Sequence, residues 1–345
     1  MSMINARRVM AWTAVAASLV LVASGCARGA GRGEGAAEFT IKFSHVVTPN
    51  TPKGQAAEKF KELIEKSSDG RIKVEIFPNS ELYGDKDELQ ALQSNSVQML
   101  APSTAKFTTI APAIQVLDLP FLFDSVEDIA EVVSPDSTVG KAIYENQQLA
   151  AKRTKVLGLW DNGLKQLSSN EQMRAPGDVK GLSFRIQPSD VLKSQFSAWG
   201  ASSTPMAFSE VYSALQQGVV DGAENPYSNI ETQKMHTVQK HITESNHGYL
   251  GYVLVINDDF FQKLPEDLRK AVTAAADEAS EYNRKIAFDV NESAKKAIED
   301  EGSTTITALS DTERKAFKDA VVPTVWNQYA DVIGKDVIDE LLKRQ

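Results

Sequence analysis

Two successive runs of alternating strand and helix patterns, followed by one uninterrupted helical stretch, predict an α/β fold of two lobes with a long helix spanning both. The chain has 345 residues, enough to bury two cores. In the first run, Phe39, Ile41 and Phe43 alternate as a strand does. Ala56, Phe60, Leu63 and Ile64 share one helix face, and Gly70 supplies a stop. Ile72, Val74 and Ile76 alternate again. Strand, helix, strand implies a parallel crossover unit. The pattern continues with a helix near 85–95, a strand at 97–100, helices at 125–133 and 137–152, and a strand at 154–160. A second run opens after Trp160: a strand over 181–186, helices over 189–199 and 208–217, and an apolar strand over 249–256. From Pro265 to Glu301 no glycine or further proline intervenes, and Gly302 follows. At 1.5 Å per residue such a helix is about 50 Å long, too long for one small lobe.

Composition narrows the class. With 42% apolar and 24% charged residues, the chain is neither disordered nor multi-spanning. Net charge is −9. Residues 1–25 carry only Arg7 and Arg8, so removing those two leaves −11. An acidic surface argues against nucleic acid as a partner. The sequence contains no Gly-x-Ser-x-Gly elbow, no phosphate loop and no histidine pair at helical ligand spacing among His45, His236, His241 and His247. No enzymatic activity, metal or cofactor is expected.

The N-terminus reads as an export segment. Arg7 and Arg8 precede an apolar run from Val9 to Val22, then small residues. That run falls short of the roughly 20 residues a membrane span needs. Cys26, the only cysteine, follows directly. The stretch Leu21-Val-Ala-Ser-Gly-Cys26 resembles a bacterial lipobox, although alanine stands where leucine is commoner. It implies lipidation at Cys26 after removal of residues 1–25. The other reading is an ordinary secretory signal with an incidental cysteine. Residues 26–38 form a flexible tether.

Five stretches carry the functional signal. They are Leu82-Tyr-Gly-Asp-Lys-Asp-Glu-Leu89, Ala101-Pro-Ser-Thr-Ala-Lys-Phe107, Trp160-Asp-Asn-Gly-Leu-Lys-Gln166, Lys180-Gly-Leu-Ser-Phe-Arg-Ile-Gln187, and Met206–Leu215 leading into Val220-Asp-Gly-Ala-Glu-Asn-Pro226. In this order and spacing they resemble the solute-binding proteins of tripartite ATP-independent periplasmic (TRAP) transporters, over residues 39 to about 320. Tyr83–Leu89, Asp161–Gln166 and Ser245–Tyr252 look more like the C4-dicarboxylate (DctP-like) branch than the sialic acid branch. The resemblance implies a two-lobed, periplasmic-binding-protein-like fold with a ligand cleft between the lobes. Lobe I is expected over 39–162 plus 251–290, and lobe II over 163–250 plus 291–345. It also implies a role: capture of a small organic acid, a succinate, fumarate or malate, outside the cytoplasm for TRAP membrane subunits. The membrane itself is expected to be met only through the lipid anchor. A monocarboxylate or sugar acid, or presentation to a receptor kinase, are the alternatives.

Site residues follow from the same match. Arg185 matches the arginine that pairs with the ligand carboxylate, and its planar fork suits two parallel hydrogen bonds. Alternation alone sets Arg185 with Ser183, opposite Leu182, Phe184 and Ile186, which reads as the solvent face of an edge strand. Lys165 stands where the sialic acid branch has a second arginine and is expected to touch one ligand oxygen. Asn225 matches a ligand-contacting asparagine, and Phe208 an aromatic that packs on the ligand. For a second carboxylate, Lys86, His45, Lys53 and Ser103 are the candidates. Lys86 and Ser103 stand where the sialic acid branch carries acids. Binding is expected to close the lobes about a hinge near 160–164, 249–252 and within the long helix.

Overall fold

The computed structural model describes residues 37–344. The export segment, Cys26 and most of the tether lie outside the described residues.

Strand β1 (Phe39–Ser44) pairs in parallel with β2 (Ile72–Phe77) and with β3 (Met99–Leu100). The helix between β1 and β2 spans Pro52–Ser67. Thr51 caps it by accepting from Gly54 N at 3.2 Å, and Pro52 occupies the first turn, where its missing N–H costs nothing. Gly54 is required there. A Cβ would lie 2.5 Å from the carbonyl oxygens of Thr48 and Pro49. The loop before the helix therefore presses against its first turn, beside Lys53.

The strand expected at 154–160 is longer. It is β4 (Thr154–Ser169), followed by β5 (Ser183–Ile186), β6 (Ser202–Pro205), β7 (Gly222–Asn225), β8 (His241–Asn257) and β9 (Thr305–Ala308). All nine form one sheet in the order β2-β1-β3-β8-β4-β7-β5-β6, with β9 also on β8. β4 and β8 run antiparallel along most of their length. One end of the pair meets β3, and the other end meets β7 and β9. They thus join a first lobe around β1–β3 to a second around β5–β7. Register shifts at Asp161/Gly163 and Lys165/Leu167 bend β4 where the sequence suggested a break. Gly163 has φ +128°, a backbone conformation that a side chain rarely allows.

The expected helix over 189–199 appears as Asp190–Ala198, and that over 208–217 as a short 3-10 turn leading into Val211–Gln216. The expected helix over 137–152 is broken into Thr138–Tyr144 and Gln147–Ala150, because Asn146 ends one and caps the other. The long helix spans Glu266–Glu301, with Pro265 as N-cap and Gly302 as a left-handed C-cap at φ +69°.

One apolar core runs along a face of the sheet through both lobes and includes Phe184, Phe196, Tyr249 and Trp326. Two further cores are separate. One holds Phe43, Phe60, Trp160 and the first half of the long helix, from Leu268 to Ala279. The other holds Phe208, Val211 and Tyr227 with Ala294 and Ile298 from the helix's second half. Between the halves the helix is stitched to β4 by polar bonds. Asn283 accepts from Asp161 N at 2.5 Å and donates to Asp161 O at 3.1 Å. Arg284 Nε donates to Asp161 Oδ2 at 3.0 Å, and Asn291 Nδ2 donates to Asn162 O at 2.5 Å.

Candidate functional site

The two separate cores face each other across a narrow gap. Its walls come from the loop after β1, the first turn of helix Pro52–Ser67, the loop after β3, the end of β7, helix Tyr227–Thr232 and the middle of β8. Lys53, Ser103, Phe208 and Asn225 line this gap, as expected, and so do Asn229 and Tyr252. The gap encloses only about 10 Å³, room for a single water centre. The lobes are therefore shut on each other. A larger cavity, about 580 Å³, lies between β4, β8 and the long helix. Its only cation among the described residues, Arg284, is already paired with Asp161, so it is a poorer match to a free acid.

Arg185 is 2% exposed. The expectation from alternation fails because β5 is an interior strand, paired with β7 on one side and β6 on the other. The chain following β6 then folds over Arg185. Nε and Nη2 both donate to Met206 O, at 3.0 and 2.7 Å, and the guanidinium carbon stands 5.9 Å from the Phe208 ring centre. Nη1 has no partner among the described residues. Burial lowers the Arg185 pKa, opposed first by Asp85 and then by Glu224, but a guanidinium stays charged.

Lys53 is 1% exposed. Its Nζ donates to Ala101 O at 3.1 Å and sits 3.8 Å from the centre of the Tyr252 ring. Burial pushes its pKa down to about 7, partly offset by Glu88. A carbonyl and a ring face orient the ammonium without neutralising it. Arg185 and Lys53 are thus buried cations that have no carboxylate within ion-pair distance among the described residues. Lys53 lines the gap, whereas Arg185 does not line it and stands beside Phe208, which does.

Three expected site residues are placed differently. Lys165 does not line the gap. Its Nζ is 2.7 Å from Glu224 Oε1, and Glu224 Oε2 takes His247 Nε2 at 2.9 Å. The β4–β7 register, which sets Leu167 opposite Glu224, brings these side chains together inside the second lobe. Burial alone would raise the Glu224 pKa, yet Lys165 and His247 hold it down near 2. Lys165 is therefore neutralised within the protein. Lys86 is exposed at the rim, where it reaches Glu210 at 2.6 Å. His45 is buried, and desolvation, then Lys53, lower its pKa to about 3. It stays neutral and supplies no second cation.

The sequence reading overlooked several contributors. Lys106 sits between Asp85 and Glu88, bonded to both. Asp85 Oδ2 also accepts from Phe208 N at 2.5 Å, tying the loop of one lobe to the other. Together with Lys86–Glu210, this fastens residues 85–88 to residues 208–210. Tyr252 forms a bridge with Ser103, and Asn229, in helix Tyr227–Thr232, donates to Asn225 Oδ1 at the end of β7 at 3.3 Å. Asp85, Lys106 and Tyr252 all fall inside the stretches that carried the resemblance.

The sequence profile described as "Bacterial extracellular solute-binding protein, family 7" matches residues 43–331. The chain belongs to this family. Among the family 7 relatives, the C4-dicarboxylate-binding periplasmic protein DctP of Rhodobacter capsulatus is 47% identical over 301 residues, 87% of this chain and 89% of its own. A TRAP periplasmic solute-binding protein from Shewanella oneidensis, solved with bound succinate, superposes with a TM-score of 0.84 at 43% identity, covering 88% of this chain and 98% of that one. Another from Pseudomonas aeruginosa, with bound L-malate, gives 0.81 at 40% identity, covering 84% and 100%. Family 7 membership and the two-lobed fold therefore agree with what the motif stretches implied. Among the described residues no helix is long and apolar enough to cross a membrane.

Proposed function

We propose that this chain captures a C4 dicarboxylate outside the cytoplasm and passes it to the membrane subunits of a TRAP transporter. One observation carries the reading: two buried cations have no carboxylate partner among the described residues, Lys53 on the gap itself and Arg185 beside Phe208, which lines it. A dianion with a carboxylate at each end satisfies both. The names of the relatives, which bind C4 dicarboxylates, succinate or L-malate, support the same class.

In this reading Arg185 takes one carboxylate through its remaining N–H groups, and Lys53 takes the other. The Ser103 hydroxyl, which has no partner among the described residues, adds a donor. Asn225 gives one N–H to Met235 Sδ at 3.7 Å and keeps a second for the ligand. Phe208 covers the carbon chain. Residues 39–162 with 251–290 move as one lobe, and 163–250 with 291–345 as the other. Entry requires the lobes to part, and closure excludes water, which strengthens each charge-assisted bond. The site binds its ligand and does not transform it. Lipidation of Cys26 holds the protein at the outer face of the membrane through the tether.

The decisive experiment is calorimetry with succinate, fumarate and malate on wild type and Arg185→Ala. Losing one partner of a buried charged pair costs about 2–5 kcal/mol, so affinity should fall at least roughly tenfold. Unchanged affinity in the variant removes Arg185 from the site.

A further inference from the structure

We propose that Asn229 reads a hydroxyl on the ligand, so that the site favours a 2-hydroxy C4 dicarboxylate over the same acid without the hydroxyl. This rests on the C4-dicarboxylate reading above and adds to it a residue that discriminates among such acids.

The orientation of the Asn229 amide follows from its neighbours. The Met235 thioether can only accept, so the NH2 end of Asn225 faces it, at 3.7 Å. That turns Asn225 Oδ1 toward Asn229, whose Nδ2 donates to it at 3.3 Å. With its NH2 end turned to Asn225, Asn229 Oδ1 points the other way.

Asn229 is 2% exposed and lines the gap, yet its Oδ1 has no donor among the described residues. A buried acceptor left unmatched is costly. An ionised dicarboxylate brings only acceptors, so succinate leaves Oδ1 unmatched. A hydroxyl on the ligand's second carbon brings the missing O–H. A site built around a hydrogen bond to a hydroxyl discriminates against the analogue that lacks it, because its own polar atom is then stranded. The other buried carboxylate and side-chain amide oxygens of the gap are committed, Asp85 to Lys106 and Phe208 N and Asn225 Oδ1 to Asn229, while the Ser103 hydroxyl has a hydrogen of its own to give a carboxylate. Asn229 is therefore the acceptor left for the ligand.

The test is calorimetry on the full-length exported protein with succinate, each enantiomer of malate, and 2-methylsuccinate, which matches malate in bulk but has no donor. One malate enantiomer should bind roughly tenfold tighter than succinate, the ratio expected for one buried acceptor satisfied. Methylsuccinate should bind no tighter than succinate. Asn229→Leu, shown folded by its melting transition, should bring malate to within about twofold of succinate. Equal affinity of wild type for succinate and both malates overturns the role of Asn229 while leaving the ligand class intact, as does a malate preference that survives in Asn229→Leu. Absence of binding to all four acids overturns the ligand class and this inference with it. If Asn229→Leu does not fold, the methylsuccinate comparison on wild type decides.

Discussion

Replacing Lys53 by methionine should stabilise the unliganded protein and weaken ligand binding at the same time. Methionine keeps the length and apolar stem while removing the charge. Holding the ammonium at a pKa of about 7 instead of 10.5 in the folded state implies a cost of up to roughly 5 kcal/mol at neutral pH and below. The substitution also forfeits the bond to Ala101 O and the contact with the Tyr252 ring, each worth about 1 kcal/mol. The balance is a gain of about 2–3 kcal/mol, a rise of several degrees in melting temperature. The pH dependence follows from proton counts. Between about 7 and 10.5 the unfolded chain holds a proton on Lys53 that the folded one has shed, so wild-type stability should climb through this window. The advantage of the variant is fully present below pH 7 and gone near pH 10.5. A dicarboxylate restores the charged form, so binding at pH 8 should take up a proton. Calorimetry in buffers of different ionisation enthalpy measures that uptake, and the same titrations should show at least a tenfold loss of affinity in Lys53→Met. A variant that melts lower than wild type, or that binds succinate and malate undiminished, would refute the reasoning.

Lys165→Met should behave in the opposite way. It strands the Glu224 carboxylate in the second lobe and should cost about 3–5 kcal/mol in urea unfolding, with ligand affinity nearly unchanged in the protein that remains folded. Full stability combined with lost binding would return Lys165 to the ligand site. Cys26→Ser should move the protein from the membrane fraction to the soluble one, and mass spectrometry of the mature wild-type N-terminus should find acyl chains on Cys26. An unmodified N-terminus in wild type would leave a secreted, unanchored protein.

The elements that local pattern decides were legible. The long helix carries its own punctuation in Pro265 and Gly302, and β1 and β2 alternate plainly around the helix between them. Arg185 shows where local pattern misleads. Alternation puts it on the polar side of β5, but whether that side meets water depends on β6 and β7, which lie far along the chain and pair on both flanks. Lys165 lies away from the gap for a related reason. Nothing in its surroundings shows that a register fifty-nine residues away will deliver Glu224 to it. Lys53 could have been read more firmly. With Ala56, Ala57 and Phe60 it shares the buried face of its helix, and a lysine on an apolar stripe needs a partner. The length of β4 was hidden because Asp161-Asn-Gly163 has the composition of a turn, whereas here it forms a bulge held by the long helix. Asn229 was missed because one asparagine in a polar stretch looks like any other until its acceptor is found without a donor.

The bonds from Asn283 and Asn291 to consecutive carbonyls of β4 constrain how the molecule can breathe. One rigid rod is glued to the first lobe by Leu268–Ala279, to the second by Ala294 and Ile298, and pinned at the pivot between them. Parting the two jaws must then flex that rod or stretch its pins. In the proposed opening the back of the molecule would load like a leaf spring, and its recoil would act toward the shut position.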